Sequence, residues 1–190
     1  MTPPSTTPRT LSTAGARRET VLQTAAKVFA ARGLHGTPTT EVAKAAGISQ
    51  AYLFRLFPTK MDLAVAVINR CHERIADAFR SAAEAAKAEG TDPLDAMGGA
   101  YVELLQDRDQ LLLQLHGIAA AAGDPALRDA MRDGFRGLYE LVAEQSGADD
   151  ERIAAFFATG MLLNVIAATD AFELDEPWAQ AFRTMPKSDL

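Results

Sequence analysis

The 190-residue sequence predicts an all-α chain, and three observations carry that expectation. Apolar residues recur three and four positions apart nearly throughout. No stretch alternates apolar and polar residues with the β-branched enrichment of a strand. The breaks between periodic stretches are helix punctuation, with Asp-Pro at 92–93 and 124–125 and glycine at 33, 47, 90 and 147.

Residues 1–14 are rich in Pro, Ser and Thr and read as a disordered arm without the apolar core of a secretory signal. A first helix is expected from about Arg17 to Arg32, with Leu22, Ala25 and Phe29 inward and Gly33 as its stop. A short helix follows, capped by Thr39 or Thr40 and ending at Gly47. A third starts after Ser49 and ends before Pro58. Thr59 and Asp62 have the spacing of a capping box, with Asp in place of the usual Glu. They open a long helix with the stripe Leu63, Val67, Cys71, Ile75, Phe79 and Ala82, stopped by Gly90.

Asp92-Pro93 starts a helix with the stripe Leu94, Met97, Tyr101 and Leu104. After a break at 107–109, an apolar helix runs from Gln110 to Ala122. Asp124-Pro125 opens the next, with Leu127, Met131, Phe135, Leu138 and Val142 inward and Gly147 at its end. Asp149 or Asp150 caps the last long helix, whose stripe is Ile153, Phe157, Gly160, Asn164 and Ala168. The expected organisation is an arm (1–14), a three-helix helix-turn-helix head (15–58), a helical bundle (59–175) and an irregular tail (176–190).

The apolar run Ile153–Thr169 is shorter than the roughly 20 residues that cross a bilayer, and reads as a buried helix rather than a membrane segment. One cysteine permits no intramolecular disulfide, which fits a cytoplasmic protein, and Cys71 on its stripe reads as a buried inert thiol rather than a redox sensor. Three scattered histidines make no metal site, and His72-Glu73 begins a zinc-protease motif that Ala76 breaks. No glycine-rich phosphate loop is present. Catalytic residues, metal and cofactor are therefore all expected to be absent.

Charge is segregated along the chain. Residues 1–60 carry eight basic and two acidic residues, whereas 61–190 carry 11 basic and 23 acidic ones. A basic head on an acidic body suits a polyanionic partner. Within the head, Ala43 is the small residue that lets two helices cross, and Gly47 tolerates positive φ at the turn. Val42, Ala46, Ile48, Leu53 and Leu56 occupy the inward offsets. This is a helix-turn-helix whose second helix would enter the major groove of duplex DNA. Gln50 can pair with adenine, Arg55 can reach guanine or phosphate, Ala51 can meet a thymine methyl, and Tyr52 offers a ring and a hydroxyl. Ser49 starts that helix, and Thr39, Thr40 and Lys60 sit at helix starts suited to phosphates. Arg17 and Arg18 stand where a basic segment would follow the backbone.

These residues resemble the head of the TetR/AcrR family of one-component regulators. The likeness runs through Ala25, Phe29, Gly33 and Gly36, then Thr39–Ala43, Ala46–Ser49, Leu53–Phe57, Pro58, Lys60 and Leu63. The family usually has tyrosine at the position of Phe54, where its hydroxyl reaches a phosphate; phenylalanine cannot make that bond. The resemblance implies a homodimer on a palindromic site, most simply a repressor, released from DNA by a small-molecule effector. A DNA-binding protein without a ligand, or a helical enzyme, is the competing expectation.

For the bundle, Met97, Tyr101, Leu104, Leu115, His116, Phe135 and Met161 are the expected lining of an apolar effector pocket. Leu138, Val142, Phe157, Gly160 and Asn164 are the expected dimer interface, through a four-helix contact between two copies.

Overall fold

The computed structural model describes residues 13–183, which form nine α-helices and one 3₁₀ turn with no strand among them. The head comprises α1 (Thr13–Arg32), α2 (Thr39–Ala45) and α3 (Gln50–Leu56). Helix α4 (Lys60–Glu89) leaves the head and runs the length of the bundle. The bundle continues with α5 (Pro93–Leu104), α6 (Arg108–Ala121), α7 (Pro125–Ser146) and α8 (Asp150–Ala168). A 3₁₀ turn (Ala171–Glu173) and α9 (Pro177–Arg183) follow.

Helix starts obey local chemistry. The Tyr52 amide donates to Ser49 Oγ at 3.2 Å. At Thr59 the capping box closes both ways: the Asp62 amide donates to Thr59 Oγ1 at 3.0 Å, and the Thr59 amide donates to Asp62 Oδ2 at 2.9 Å. Each such cap is worth about 1 kcal/mol. Asp92, Asp124 and Asp149 cap α5, α7 and α8, and Gly90 and Gly147 end their helices in the left-handed region.

Four boundaries differ from expectation. Helix α1 begins at Thr13, so residues 13–14 are helical; the rest of the expected arm lies outside the described residues. Neither Thr39 nor Thr40 caps α2, because Pro38 occupies the cap position and both threonines fall within the first turn. The break at 107–109 is the start of α6, where Asp107 accepts from the amides of Asp109 and Gln110. The tail contains α9, started by Pro177 at a position that proline favours and anchored by the buried Ala179; residues 184–190 lie outside the described residues.

Two buried clusters hold the molecule. The first joins Val21, Leu22, Ala25 and Phe29 of α1 with Val42, Leu53 and Phe57, then continues through Leu63, Val67 and Ile68 of α4 to Leu113, Leu127 and Met131. The head thus shares a continuous core with the near half of the bundle. The second contains Ile75, Phe79, Leu94, Met97, Tyr101, Leu138, Val142, Ile153 and Phe156. In it Phe79 meets Tyr101 and Phe156 edge-on, with centroids 6.1 and 5.5 Å away.

Helix α8 corrects one expectation. It has the length and composition to cross a membrane, yet only 28% of its apolar window is buried within the subunit. Ile153, Phe156, Thr159, Asn164 and Ile166 face inward, whereas Ala154, Ala158, Met161 and Val165 form an exposed strip at helical spacing.

Candidate nucleic-acid interface and effector cavity

The head presents one polar, cationic face. Gly47 (φ 64°) makes the α2–α3 turn, closed by the Ile48 amide donating to the Ala43 carbonyl at 3.0 Å. With Val42, Ala43 and Leu53 buried, Thr40, Lys44, Ser49, Gln50, Ala51 and Arg55 are exposed, and Thr39, Tyr52 and Lys60 are half-buried. Several of these side chains are braced. Gln50 Nε2 donates to Thr39 Oγ1 at 3.0 Å, tying the starts of α2 and α3 together. The Arg55 guanidinium stands 5.5 Å from the Tyr52 ring centroid. Lys60 Nζ donates to the His35 carbonyl at 2.7 Å. Arg18 lies over the Phe57 ring at 4.7 Å, so it holds α1 against the end of α3, while Arg17 is exposed. Phe54 is exposed beside Arg55, an apolar ring on the same face that residue-by-residue reasoning left without a role.

A second site lies in the bundle. Helices α4 to α8 surround a cavity that is partly open to solvent. Its walls are Phe79, Phe156, Phe157 and other apolar side chains, and Ile118, Phe135 and Met161, all exposed, stand at its edge. No Asp, Glu, Lys or Arg lines it. The polar groups are His72, Tyr101, Gln114 and Asn164. The Tyr101 hydroxyl lies 2.8 Å from Gln114 Oε1 and 3.0 Å from Asn164 Oδ1. Burial pushes the Tyr101 phenol up to about 12, so it remains protonated. His72 Nδ1 and Gln114 Nε2 are buried without a hydrogen-bond partner. Space for the His72 ring comes from Gly134, where a Cβ would lie 2.2 Å from Nδ1.

Of the residues expected to line an effector pocket, Tyr101, Phe135 and Met161 border this cavity. Met97 does not; it is fully buried core. Leu104 and Leu115 are half-buried and pack against the second cluster. His116 points the other way, its Nε2 3.1 Å from the Ala30 carbonyl in the last turn of α1. The residues expected at the dimer interface are turned inward. Leu138, Phe157, Gly160 and Asn164 line the cavity, a Cβ on Gly160 would stand 3.4 Å from the Tyr101 ring, and Val142 is fully buried. Leu138, Val142 and Asn164 are buried within the subunit, whereas Phe157 and Gly160 are half-buried. Sequence reasoning passed over His72 and Gln114; the signal for Gln114 was an amide four residues after Gln110 on an otherwise apolar helix.

Burial also pushes the His72 imidazole below its ordinary 6.5. The unfolded chain then takes up this proton at higher pH than the folded one. Stability from neutral His72 is complete above about pH 6.5 and falls as pH drops below it, by up to about 1.4 kcal/mol per unit. Urea midpoints between pH 7.5 and 5 will show a shallower decline in His72→Leu than in the unaltered protein; parallel curves would refute the assignment. Cys71 is pushed up to about 12, chiefly by burial, so it stays a thiol and is poorly suited to redox sensing. Among the described residues no group of three or more His, Cys, Asp or Glu converges to hold a metal ion.

Residues 21–67, spanning most of the head and the start of α4, match the family model described as bacterial regulatory proteins, tetR family. This segment is a TetR-family domain. The TetR likeness extends beyond it. The chain is 30% identical over 166 residues to the HTH-type transcriptional regulator TcmR of Streptomyces glaucescens, covering 87% of this chain and 65% of TcmR. It thus spans just under two thirds of that relative's length. It is 25% identical to the HTH-type transcriptional regulator LmrA of Bacillus subtilis (strain 168), covering 80% of this chain and 88% of LmrA. Among solved structures, the TetR-family member SCO1917 from Streptomyces coelicolor A3 superposes with a TM-score of 0.70. That match covers 90% of this chain and 98% of SCO1917 at 24% identity, and it establishes the shared fold.

Proposed function

We propose that this chain is a cytoplasmic transcription regulator, a repressor that binds a palindromic operator as a homodimer and releases it when a small apolar effector enters the bundle. The observation that carries the DNA reading is the outward face of α3 within a TetR-family domain. Gln50, Ala51, Phe54 and Arg55 project from a helix locked at its start by Ser49 and on its inner side by Leu53. The bracing of Gln50 and Arg55 positions them before DNA arrives, which reduces the ordering cost of binding.

The exposed strip of α8 supplies the dimer contact in this reading, because an apolar helix face left uncovered by its own subunit favours burial against a copy. Helix α6 supplies the coupling. It carries Gln114 and Ile118 at the cavity and His116 against the Ala30 carbonyl, so a ligand that displaces α6 strains its contact with the head. An effector that binds better to the displaced arrangement weakens DNA binding, and DNA weakens the effector equally. A DNA-binding protein without a ligand is the poorer reading, because its bundle would not need an apolar cavity with Tyr101, Gln114 and Asn164 on its lining.

Gln50→Ala tests the base-reading role. The variant will lose discrimination of about 1–3 kcal/mol at one operator base pair, measured by anisotropy titrations against single-substitution duplexes. Unchanged selectivity would remove Gln50 from the reading.

A further inference from the structure

We propose that the bundle cavity receives a neutral, largely apolar molecule carrying a hydrogen-bond-accepting oxygen, such as a ketone, ester or lactone, and that the side-chain amide of Gln114 holds that oxygen. The inference deepens the effector reading above and rests on it.

The lining excludes charge first. No ionised side chain faces the cavity, and the surrounding apolar walls would leave a carboxylate or ammonium desolvated without a counter-ion. The aromatic walls, Phe79, Phe156 and Phe157, instead suit a flat apolar body.

The position of the polar contact follows from Tyr101. Its hydroxyl carries one proton, and the shorter of its two amide contacts, 2.8 Å, is to Gln114 Oε1. With that proton on Gln114 Oε1, the Asn164 amide presents its NH₂ to the hydroxyl oxygen, and the Gln114 NH₂ is left over. Gln114 retains only 9% of its accessible surface, and Nε2 has no partner in the protein. A buried N–H without an acceptor is costly, and native interiors rarely keep one without a reason. Here the unpaired N–H₂ belongs to a residue lining an apolar cavity, so the group that completes it is an acceptor. His72 adds a second polar side chain to the lining, with its Nδ1 turned toward Gly134. Burial keeps the imidazole neutral, so it adds no charge to the lining.

The test uses four naphthalene probes of similar size: 2-acetylnaphthalene, 2-ethylnaphthalene, 2-naphthoate and 2-naphthylmethylammonium. Each is titrated calorimetrically into the full chain, into Gln114→Leu and into Gln114→Met, with circular dichroism confirming the helical fold of each. The unaltered protein will bind the ketone about threefold to tenfold more tightly than the ethyl analogue, the range expected for one hydrogen bond. Both charged probes will bind more weakly than either. In Gln114→Leu or Gln114→Met the ketone preference will disappear while ethylnaphthalene still binds. A preference that survives both substitutions, or tightest binding by a charged probe, would overturn the proposal. Failure of all four probes to bind would also overturn it. Operator binding measured on the same samples reports on the regulator reading separately.

Discussion

Val165→Glu will convert the dimer into a monomer and lower operator affinity by about 10²–10⁴-fold, the advantage that linking two binding heads provides. Val165 is 51% exposed, the most exposed of the large apolar side chains among the described residues, and continues the strip of Ala154, Ala158 and Met161 along α8. Four apolar side chains at positions i, i+4, i+7 and i+11 make one face. A glutamate at the C-terminal end of this face would be buried without a cation in the proposed contact. Because the side chain faces away from both buried clusters, the subunit itself will fold normally. Sedimentation will give a monomer, and the variant will still bind a half-site weakly. A dimer of normal operator affinity would place the interface elsewhere.

Phe29→Ala will destabilise the protein by about 3–5 kcal/mol, a large part of the 5–15 kcal/mol typical of a folded domain. Phe29 is fully buried in the first cluster, where the head core runs on into α4, α6 and α7. The loss therefore spreads beyond the head. Thermal melting of the variant will remain a single transition at lower temperature, with DNA binding and bundle helicity lost together. A low-temperature step confined to the head would show that the two parts unfold independently.

These residues also show what was legible in the sequence. Caps and turns depend on neighbours in the chain, so Ser49, the Thr59–Asp62 box, Asp92-Pro93, Asp124-Pro125 and the Gly47 turn could be placed from local chemistry. The inward face of α1 and the head motif followed in the same way, because polar residues on the opposite side made the periodicity unambiguous. Helix α8 offered no such contrast. With apolar residues on nearly every side, Leu162, Val165 and Ile166 fit an inward or an outward stripe equally well. Of the inward stripe, Phe157, Gly160 and Asn164 also suit a partner subunit by sequence, and packing places them on the subunit's own cavity. Helix α6 posed the same problem. His116 and Gln114 are two residues apart on one apolar helix, and only tertiary packing shows that one meets α1 and the other the cavity.

The central claim is sequence-specific DNA binding by two copies of this chain. Its most direct test is selection of binding sites by the purified protein from a pool of random duplex DNA at physiological salt. The account predicts enrichment of an inverted repeat, with half-sites spaced for two heads of one dimer. Weak binding that is strongly salt-dependent and enriches no sequence would contradict it.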